Sequence, residues 1–190
     1  CALAVGWKAN ATAVNATAVG YTANAEGVDS TAIGTSAQAT SEDSIAFGHS
    51  AAASGIDAIA IGKSAVASEI NSTAIGTEAE ATAENSIALG DSAKSSAGNS
   101  TALGTNSKAL AANSTALGVS ANASKANSTA LGRLAHSNGV NSTAVGSRAY
   151  ANGSTSVAIG RGAVTEGFGS VALAACSNAA GNRSIAIGVY

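Results

Sequence analysis

A glycine recurs every fourteen residues through this sequence. It stands at positions 6, 20, 34, 48, 62, 76, 90, 104, 118, 132, 146, 160 and 188, and Ala174 occupies the one remaining mark. If this residue is numbered 0 in each repeat, position −2 is always Ala and position −1 is always large and apolar. Position −5 is Asn or Asp in ten successive repeats, from Asn15 to Asn141. Such regularity predicts one structural unit repeated about thirteen or fourteen times.

Fourteen residues also make two heptads, so a helical coiled coil is the first alternative. Seven residues after position −1, however, stand polar residues such as Thr12, Glu26 and Asn138, which would leave half of the seam polar. Each repeat glycine would also cost a helix about 1 kcal/mol. Position −3 is β-branched in all repeats but the first, and turn-forming residues separate the apolar runs. The pattern therefore favours two strands per repeat, from −4 to 0 and from +2 to +5.

Strand alternation sorts small side chains from large ones. Positions −4, −2, 0, +3 and +5 are almost all Ser, Ala or Gly, and each set shares one face of its strand. A coil this short leaves less than the usual gap of about 10 Å between sheets, so only small residues fit inside. The sequence therefore predicts an all-β parallel solenoid of 14-residue coils. Asn or Asp at −5 suits a turn and a ladder of stacked side chains, and glycines at +7, such as Gly27 and Gly139, suit a second bend.

The large residues are then left on the outside. Leu, Ile, Val and Phe number 33 of 190, and 21 of them fall at positions −1 and −3. A continuous apolar stripe of this size exceeds the few hundred Å² that a monomer usually exposes, so we expect it to be buried between copies of the chain. The interface residues that we predict are Ile33, Ile61, Ile75, Leu89, Leu103, Leu117, Leu131, Val145 and Ile159.

The repeat string Asn-Ser-x-Ala-(Ile/Leu)-Gly, as in 71–76 and 85–90, resembles the head repeat of YadA-like trimeric autotransporter adhesins over the whole chain. The resemblance implies a left-handed parallel β-roll, a homotrimer, and a location on the bacterial cell surface at the outer membrane. It also implies attachment to host cells or to extracellular matrix proteins such as collagen, fibronectin or laminin. The alternative is a structural spacer or self-association head that has no specific matrix ligand.

By the same resemblance, residues 1–190 are a single head domain of about 13 to 14 repeats. This head would be a fragment of a longer protein whose neck, stalk and C-terminal membrane anchor lie outside it. The motif loosens at Thr155, Gly169, Ala174 and Arg183, where we expect local irregularity.

The sequence offers no set of residues typical of catalysis. We find no nucleophile triad, metal cluster or phosphate-binding loop, and His49 and His136 lie six repeats apart. Asp29, Asp43 and Asp57 stand at the −5 turn position, where replacement of Asn explains them better than a cation site does. We therefore expect no enzyme activity, no cofactor, no metal and no nucleic-acid partner.

Charge divides the chain into two halves. Residues 1–92 carry a net charge of −8, and residues 93–190 carry +6. Drifting charge on a solvated surface explains this adequately, but the basic half also suits an acidic matrix ligand. The ligand-contact residues that we predict are Lys108, Arg133, His136, Arg148 and Tyr150. Recurrent Thr at −3 raises an ice-binding solenoid as a further alternative, although Ile and Leu interrupt the row.

Overall fold

The computed structural model describes residues 1–188, which form short β-strands joined by tight turns. No helix occurs in this range. The chain divides into two compact units, Cys1–Ala93 and Lys94–Tyr190. Both units are built from the same repeat, in which a strand of three residues is followed by a strand of two. The predicted all-β class is confirmed.

In the first unit the two kinds of strand form two separate parallel sheets. The three-residue strands are β1 (Leu3–Val5), β3 (Thr17–Val19), β5 (Thr31–Ile33), β7 (Ile45–Phe47), β9 (Ile59–Ile61), β11 (Thr73–Ile75) and β13 (Ile87–Leu89). The two-residue strands are β2 (Asn10–Ala11), β4 (Asn24–Ala25), β6 (Gln38–Ala39), β8 (Ala52–Ala53), β10 (Val66–Ala67) and β12 (Glu80–Ala81).

The second unit repeats this arrangement. Its three-residue strands are β15 (Thr101–Leu103), β17 (Thr115–Leu117), β19 (Thr129–Leu131), β21 (Thr143–Val145), β23 (Val157–Ile159), β25 (Val171–Leu173) and β27 (Ile185–Ile187). Its two-residue strands are β14 (Lys94–Ser95), β16 (Lys108–Ala109), β18 (Asn122–Ala123), β20 (His136–Ser137), β22 (Tyr150–Ala151), β24 (Val164–Thr165) and β26 (Asn178–Ala179).

Within each unit, strands pair with their equivalents one repeat away. Ala18 lies opposite Ala32 in the first unit, and Lys108 lies opposite Asn122 in the second. The backbone amide of Gly118 donates to the carbonyl oxygen of Leu103 at 2.8 Å, which ties one coil to the next. A parallel β-solenoid with 14-residue coils, as predicted, is therefore the fold.

Small side chains fill the interior of every coil. Away from the terminal coils, position −2 is fully buried, as at Ala116, and so are +3 and +5, as at Ala121 and Ala123. Serines at −4 are buried too, and they bond back into the turn: the Ser142 hydroxyl donates to the carbonyl oxygen of Gly139 at 2.7 Å. The predicted separation of small residues inside from large residues outside is confirmed.

The strands are shorter than the sequence pattern predicted. The first spans −3 to −1 instead of −4 to 0, and the second covers only +4 and +5 instead of +2 to +5. The reason is a change of backbone conformation at three positions per repeat: a left-handed φ at −5 and +2, and a φ of 128–141° at the glycine at position 0. Asn113 (φ 57°), Ser120 (φ 55°) and Asn127 (φ 56°) illustrate this spacing of seven residues. Asn adopts such angles more readily than most residues, which accounts for its recurrence at −5.

The predicted side-chain ladder forms at the −5 turn. The Asn113 side-chain amide donates to Asn127 Oδ1 at 3.1 Å, and the Asn127 amide donates to Asn141 Oδ1 at 2.9 Å. In the first unit the Asn15 amide donates to Asp29 Oδ1 at 2.9 Å. Asp29 therefore takes the structural role of Asn, as the sequence indicated.

The expected irregularity is confined to one of its four positions. Thr155 (φ 55°), Gly169 (φ 62°) and Arg183 (φ 57°) keep the left-handed angle of their neighbours, so the prediction is wrong there. Ala174 has φ 100°, whereas Gly146 and the other glycines at position 0 lie between 128° and 141°. The +7 glycines lie in a bend after the two-residue strands, as predicted. A Cβ on Gly139 would also collide with the carbonyl oxygen of Gly153, so successive coils approach closely at this glycine.

Candidate binding surfaces

The outer face of the three-residue strands is an apolar surface in each unit. We call the side chains at −1 and −3 on this face the apolar stripe. Of the predicted interface residues, Ile75, Leu103, Leu117, Leu131 and Ile159 are exposed by 36–42%. Ile33, Ile61, Leu89 and Val145 are partly exposed. In-register stacking brings equivalent side chains together from coil to coil, which shields their flanks and leaves their ends open to solvent.

A second apolar column was missed by the sequence interpretation. It lies at position −6, in the turn that precedes each three-residue strand, and we call it the corner column. Its members are Val14, Val28, Ile56 and Ile70 in the first unit and Val140 and Phe168 in the second. Their exposed fractions run from 41% to 62%, so they add to the apolar surface beside the stripe. The recurrence at −6 was visible in the sequence, but Glu42, Glu84 and several small residues interrupt it.

The second unit carries a polar and aromatic column on its two-residue strands, at position +4. Lys108 on β16, Asn122 on β18, His136 on β20 and Tyr150 on β22 lie opposite one another in register. The rings of His136 and Tyr150 stack, with centroids 4.8 Å apart and planes 3° apart. The structure therefore brings together three of the five predicted ligand-contact residues.

The other two predicted contacts, Arg133 and Arg148, are exposed in the turn after the three-residue strands, at +1 and +2. Their backbones adjoin, since the amide of Arg148 donates to the carbonyl oxygen of Arg133 at 3.0 Å. This turn leads directly into the strands that hold His136 and Tyr150. Partial burial lowers the pKa of His136 from its usual value of 6.5, which favours the neutral ring at neutral pH.

A shallow hollow opens between this turn and the +4 column. Its volume is about 240 Å³, and it is lined by Asn106, Lys108, Ser120, Ala121, Asn122, Leu134 and His136. Asn122 Oδ1 is buried and accepts no hydrogen bond from any residue that the structure describes. Sequence reasoning did not single out Asn122, because Asn also occupies position +4 at Asn10 and Asn24 as part of an ordinary amide ladder.

The first unit has its own aromatic pair. Trp7 and Tyr21 stack at position +1 with ring centroids 4.9 Å apart, and the Lys8 ammonium lies 4.4 Å from the Trp7 ring centroid. Both rings are more than half exposed.

Two further features concern residues 1–188, namely metal-ligand clusters and membrane-spanning helices. No three His, Cys, Asp or Glu side chains in that range are placed to hold a metal ion. Among the same residues no helix has the length and apolarity needed to cross a membrane.

Comparison with protein families identifies this repeat. The family model described as the YadA head domain repeat, in two copies, matches residues 2–23, 25–51, 53–79, 81–107, 109–135, 137–163 and 177–190. The chain belongs to the YadA head family. The matches leave out residues 164–176, where Ala174 replaces the repeat glycine. YadA head proteins are trimeric, surface-exposed adhesins of the outer membrane, so this chain is an adhesin head.

Among solved structures, a similar chain is titled the crystal structure of the collagen-binding domain of the Yersinia adhesin YadA. The sequence identity is 24% and the TM-score is 0.35, and the alignment covers 100% of this chain and 81% of that chain. Comparison with curated protein sequences gives no significant match.

Proposed function

We propose that this YadA head assembles as a homotrimer on the bacterial outer membrane and attaches the cell to host extracellular matrix. The observation that carries the proposal is the apolar stripe. Its residues are large, regularly spaced and open to solvent in a single chain, whereas the interior holds only small residues. A surface of that kind is stable in water when other copies cover it.

The interface in this trimer is the stripe itself. The nine residues from Ile33 to Ile159 that the sequence predicted supply its centre, and the corner column extends it along one side. A three-fold contact is heterologous, joining two different surfaces of neighbouring subunits. The stripe and the corner column provide two such surfaces on adjoining sides of each coil.

The matrix-binding surface in this proposal lies on the opposite side of each coil from the stripe. Lys108, His136 and Tyr150 stand on the outer face of the two-residue strands, and Arg133 and Arg148 flank them. This face stays accessible when the stripe is buried. Its positive charge favours collagen, fibronectin or laminin segments that are rich in acidic groups, and three chains per head make the attachment multivalent.

Solid-phase binding of the purified chain to collagen, fibronectin and laminin tests the ligand. We expect binding that weakens as salt rises, because exposed charges are screened. Arg133→Gln together with Arg148→Gln should weaken it, and Lys63→Gln, at the equivalent +1 position of the first unit, is the matched control. Binding that neither salt nor the double variant weakens would remove this basic surface from the proposal.

Self-association is the second candidate, and the charge of the two units favours it. Residues 1–92 carry −8 and residues 93–190 carry +6, so one copy's acidic unit complements another copy's basic unit. Cells that display the chain should then clump at low salt and disperse at high salt. Clumping without binding to any matrix protein would make self-association the main function.

We also propose that the two units act as a single head domain over residues 1–190, since the 14-residue spacing runs through both without a break. Limited proteolysis of the folded chain tests this: stable fragments cut near Ala93 would instead indicate two separable domains.

A further inference from the structure

The hollow in the second unit has two walls and a floor, each made by a different position of the repeat. Asn106, Ser120 and Leu134 form one wall at position +2, and Lys108, Asn122 and His136 form the other at +4. Ala121 is the floor. The middle coil carries the shortest side chains of both walls, so the hollow is centred on Ser120 and Asn122.

The polar groups around the hollow specify the chemistry of an occupant. Asn122 Oδ1 is buried without a donor among the described residues, and a buried unpaired acceptor is unfavourable until a donor reaches it. Lys108, one strand away, supplies a positive charge. An occupant that satisfies both groups carries a hydrogen-bond donor close to an anionic group.

Size and openness restrict the occupant further. The hollow's volume of about 240 Å³ is below the roughly 300–1,000 Å³ of pockets that enclose compact ligands. One unit of a longer chain fits such a hollow while the rest of the chain continues over the surface. Tyr150 and Arg148 lie on the next coil beyond His136 and Leu134, and they continue the polar surface past the hollow.

A peptide is a poorer match than a sugar. Peptides commonly bind by adding a strand to a free sheet edge, but β16, β18 and β20 are each paired with the next strand in the sheet. A sugar ring, in contrast, places hydroxyl donors next to a carboxylate or sulfate.

We infer that this hollow binds one unit of a linear acidic polysaccharide. The Asn122 amide turns Oδ1 toward the hollow and accepts a hydrogen bond from a sugar hydroxyl, and the carboxylate or sulfate pairs with Lys108, with Arg133 and Arg148 attracting the neighbouring units. The stacked ring of Tyr150 holds the His136 ring in place as part of the wall. The inference rests on the proposed function in that it names the chemical class bound by the same basic face.

Filling the hollow without changing charge gives a specific test. Ser120→Leu copies the residue found at the same turn position in Leu134, whose φ is 58° against 55° for Ser120, so the fold accommodates it. Asn122→Leu removes the unpaired acceptor, and Val66 and Val164 show that position +4 accepts an apolar residue. Ser64→Leu makes the same change at the equivalent turn of the first unit and is the matched control.

Titration calorimetry of the purified chain with a heparin-derived octasaccharide should detect binding. Ser120→Leu should weaken it by about tenfold or more because the new side chain fills the hollow, and Asn122→Leu should weaken it by about as much because the hydrogen-bond acceptor is lost, whereas Ser64→Leu should leave it unchanged. A hyaluronan octasaccharide, which carries carboxylates but no sulfates, shows which of these two anionic groups the hollow recognises. If it binds as well, a carboxylate is sufficient; if only the heparin fragment binds, sulfate is the group recognised.

The inference would be overturned by binding that Ser120→Leu does not weaken, by equal binding of neutral maltooctaose, or by equal binding of a polyglutamate peptide. Collagen, fibronectin and laminin are assayed on the same proteins. If these matrix proteins bind and neither acidic octasaccharide does, the inference fails while the proposed function stands. If the octasaccharides bind and no matrix protein does, the saccharide site stands without the matrix ligand.

Discussion

At the scale of single residues, the glycine at position 0 lies where the backbones of successive coils come closest. A Cβ added to Gly146 would sit 2.5 Å from the carbonyl oxygen of Gly160. Ala174 is the one residue at position 0 that has a Cβ. The backbone of the next coil lies further from Ala174 than from the glycines at this position. The amide of Gly188 is 3.2 Å from the carbonyl oxygen of Leu173, whereas the equivalent bond from Gly146 to Leu131 is 2.8 Å.

Restoring the glycine should therefore stabilise the protein. We expect Ala174→Gly to raise the free energy of unfolding by about 1–2 kcal/mol, because it relieves an unfavourable φ and lets the coils close. The converse change, Gly146→Ala, should lower it by at least about 2 kcal/mol, since the new methyl group collides with backbone. Urea unfolding followed by circular dichroism measures both. A less stable Ala174→Gly variant would show that the repeat does not require glycine there.

His136 gives a prediction about pH. Burial holds its pKa below 6.5 in the folded chain, while the unfolded chain takes up this proton near the usual value of about 6.5. Between these two pKa values the unfolded state binds more protons, so this group's contribution to stability is present above pH 6.5 and is lost as the pH falls through that window.

Titration of the ring protons by NMR should place the midpoint for His136 below 6.5. His136→Asn copies Asn122 on the neighbouring strand and should remove this part of the pH dependence of unfolding. A midpoint at or above 6.5 would contradict the account, because partial burial disfavours the protonated ring.

At the scale of the strand and turn, each repeat contains two left-handed positions seven residues apart, and these keep the strands short. The sequence predicted the bend at −5, because Asn and Asp recur there for a known conformational reason. It did not predict the bend at +2, where Lys8, Thr22, Glu78 and Leu134 all adopt positive φ. Hydrogen bonding between coils imposes that angle, so no residue preference shows it in the sequence.

The ladder at −5 combines this backbone preference with hydrogen bonding, and two variants separate them. Asn127→Gly keeps the positive φ but loses the hydrogen bonds to Asn113 and Asn141. We expect this variant to lower the free energy of unfolding by about 1 kcal/mol. Asn127→Ala loses the same bonds and also places Ala at a φ of 56°, for a total of about 2–3 kcal/mol. Thermal and urea unfolding measure both. If the two variants matched the native protein, the exposed ladder would contribute nothing to stability.

The binding face could be predicted in part from the repeat spacing. Lys108, His136 and Tyr150 share position +4, so a fourteen-residue register brings them onto one column. The hollow beside them was not predictable, because it depends on the shortness of Ser120 and Asn122 relative to their neighbours on two different columns. The corner column was hidden by its interruptions, such as Glu42 and Glu84.

At the scale of the whole molecule, the thin interior decides where the large residues go. Alanine and serine fill each coil, so Leu, Ile and Val at −1 and −3 are turned outward. Burying such a side chain is worth about 1.5–3 kcal/mol, and the stripe has many of them. Their solvent exposure in a single chain is therefore a strong driving force for association. The pattern predicts association but not the number of chains; we propose three because the YadA head family is trimeric.

The mass of the folded chain in solution tests this account most directly. Light scattering combined with size exclusion, at micromolar concentration and with folding verified by circular dichroism, should show a single species of three times the 17.9 kDa chain mass. A stable species at 17.9 kDa that is folded and unfolds cooperatively would show that the stripe tolerates water and would contradict the account.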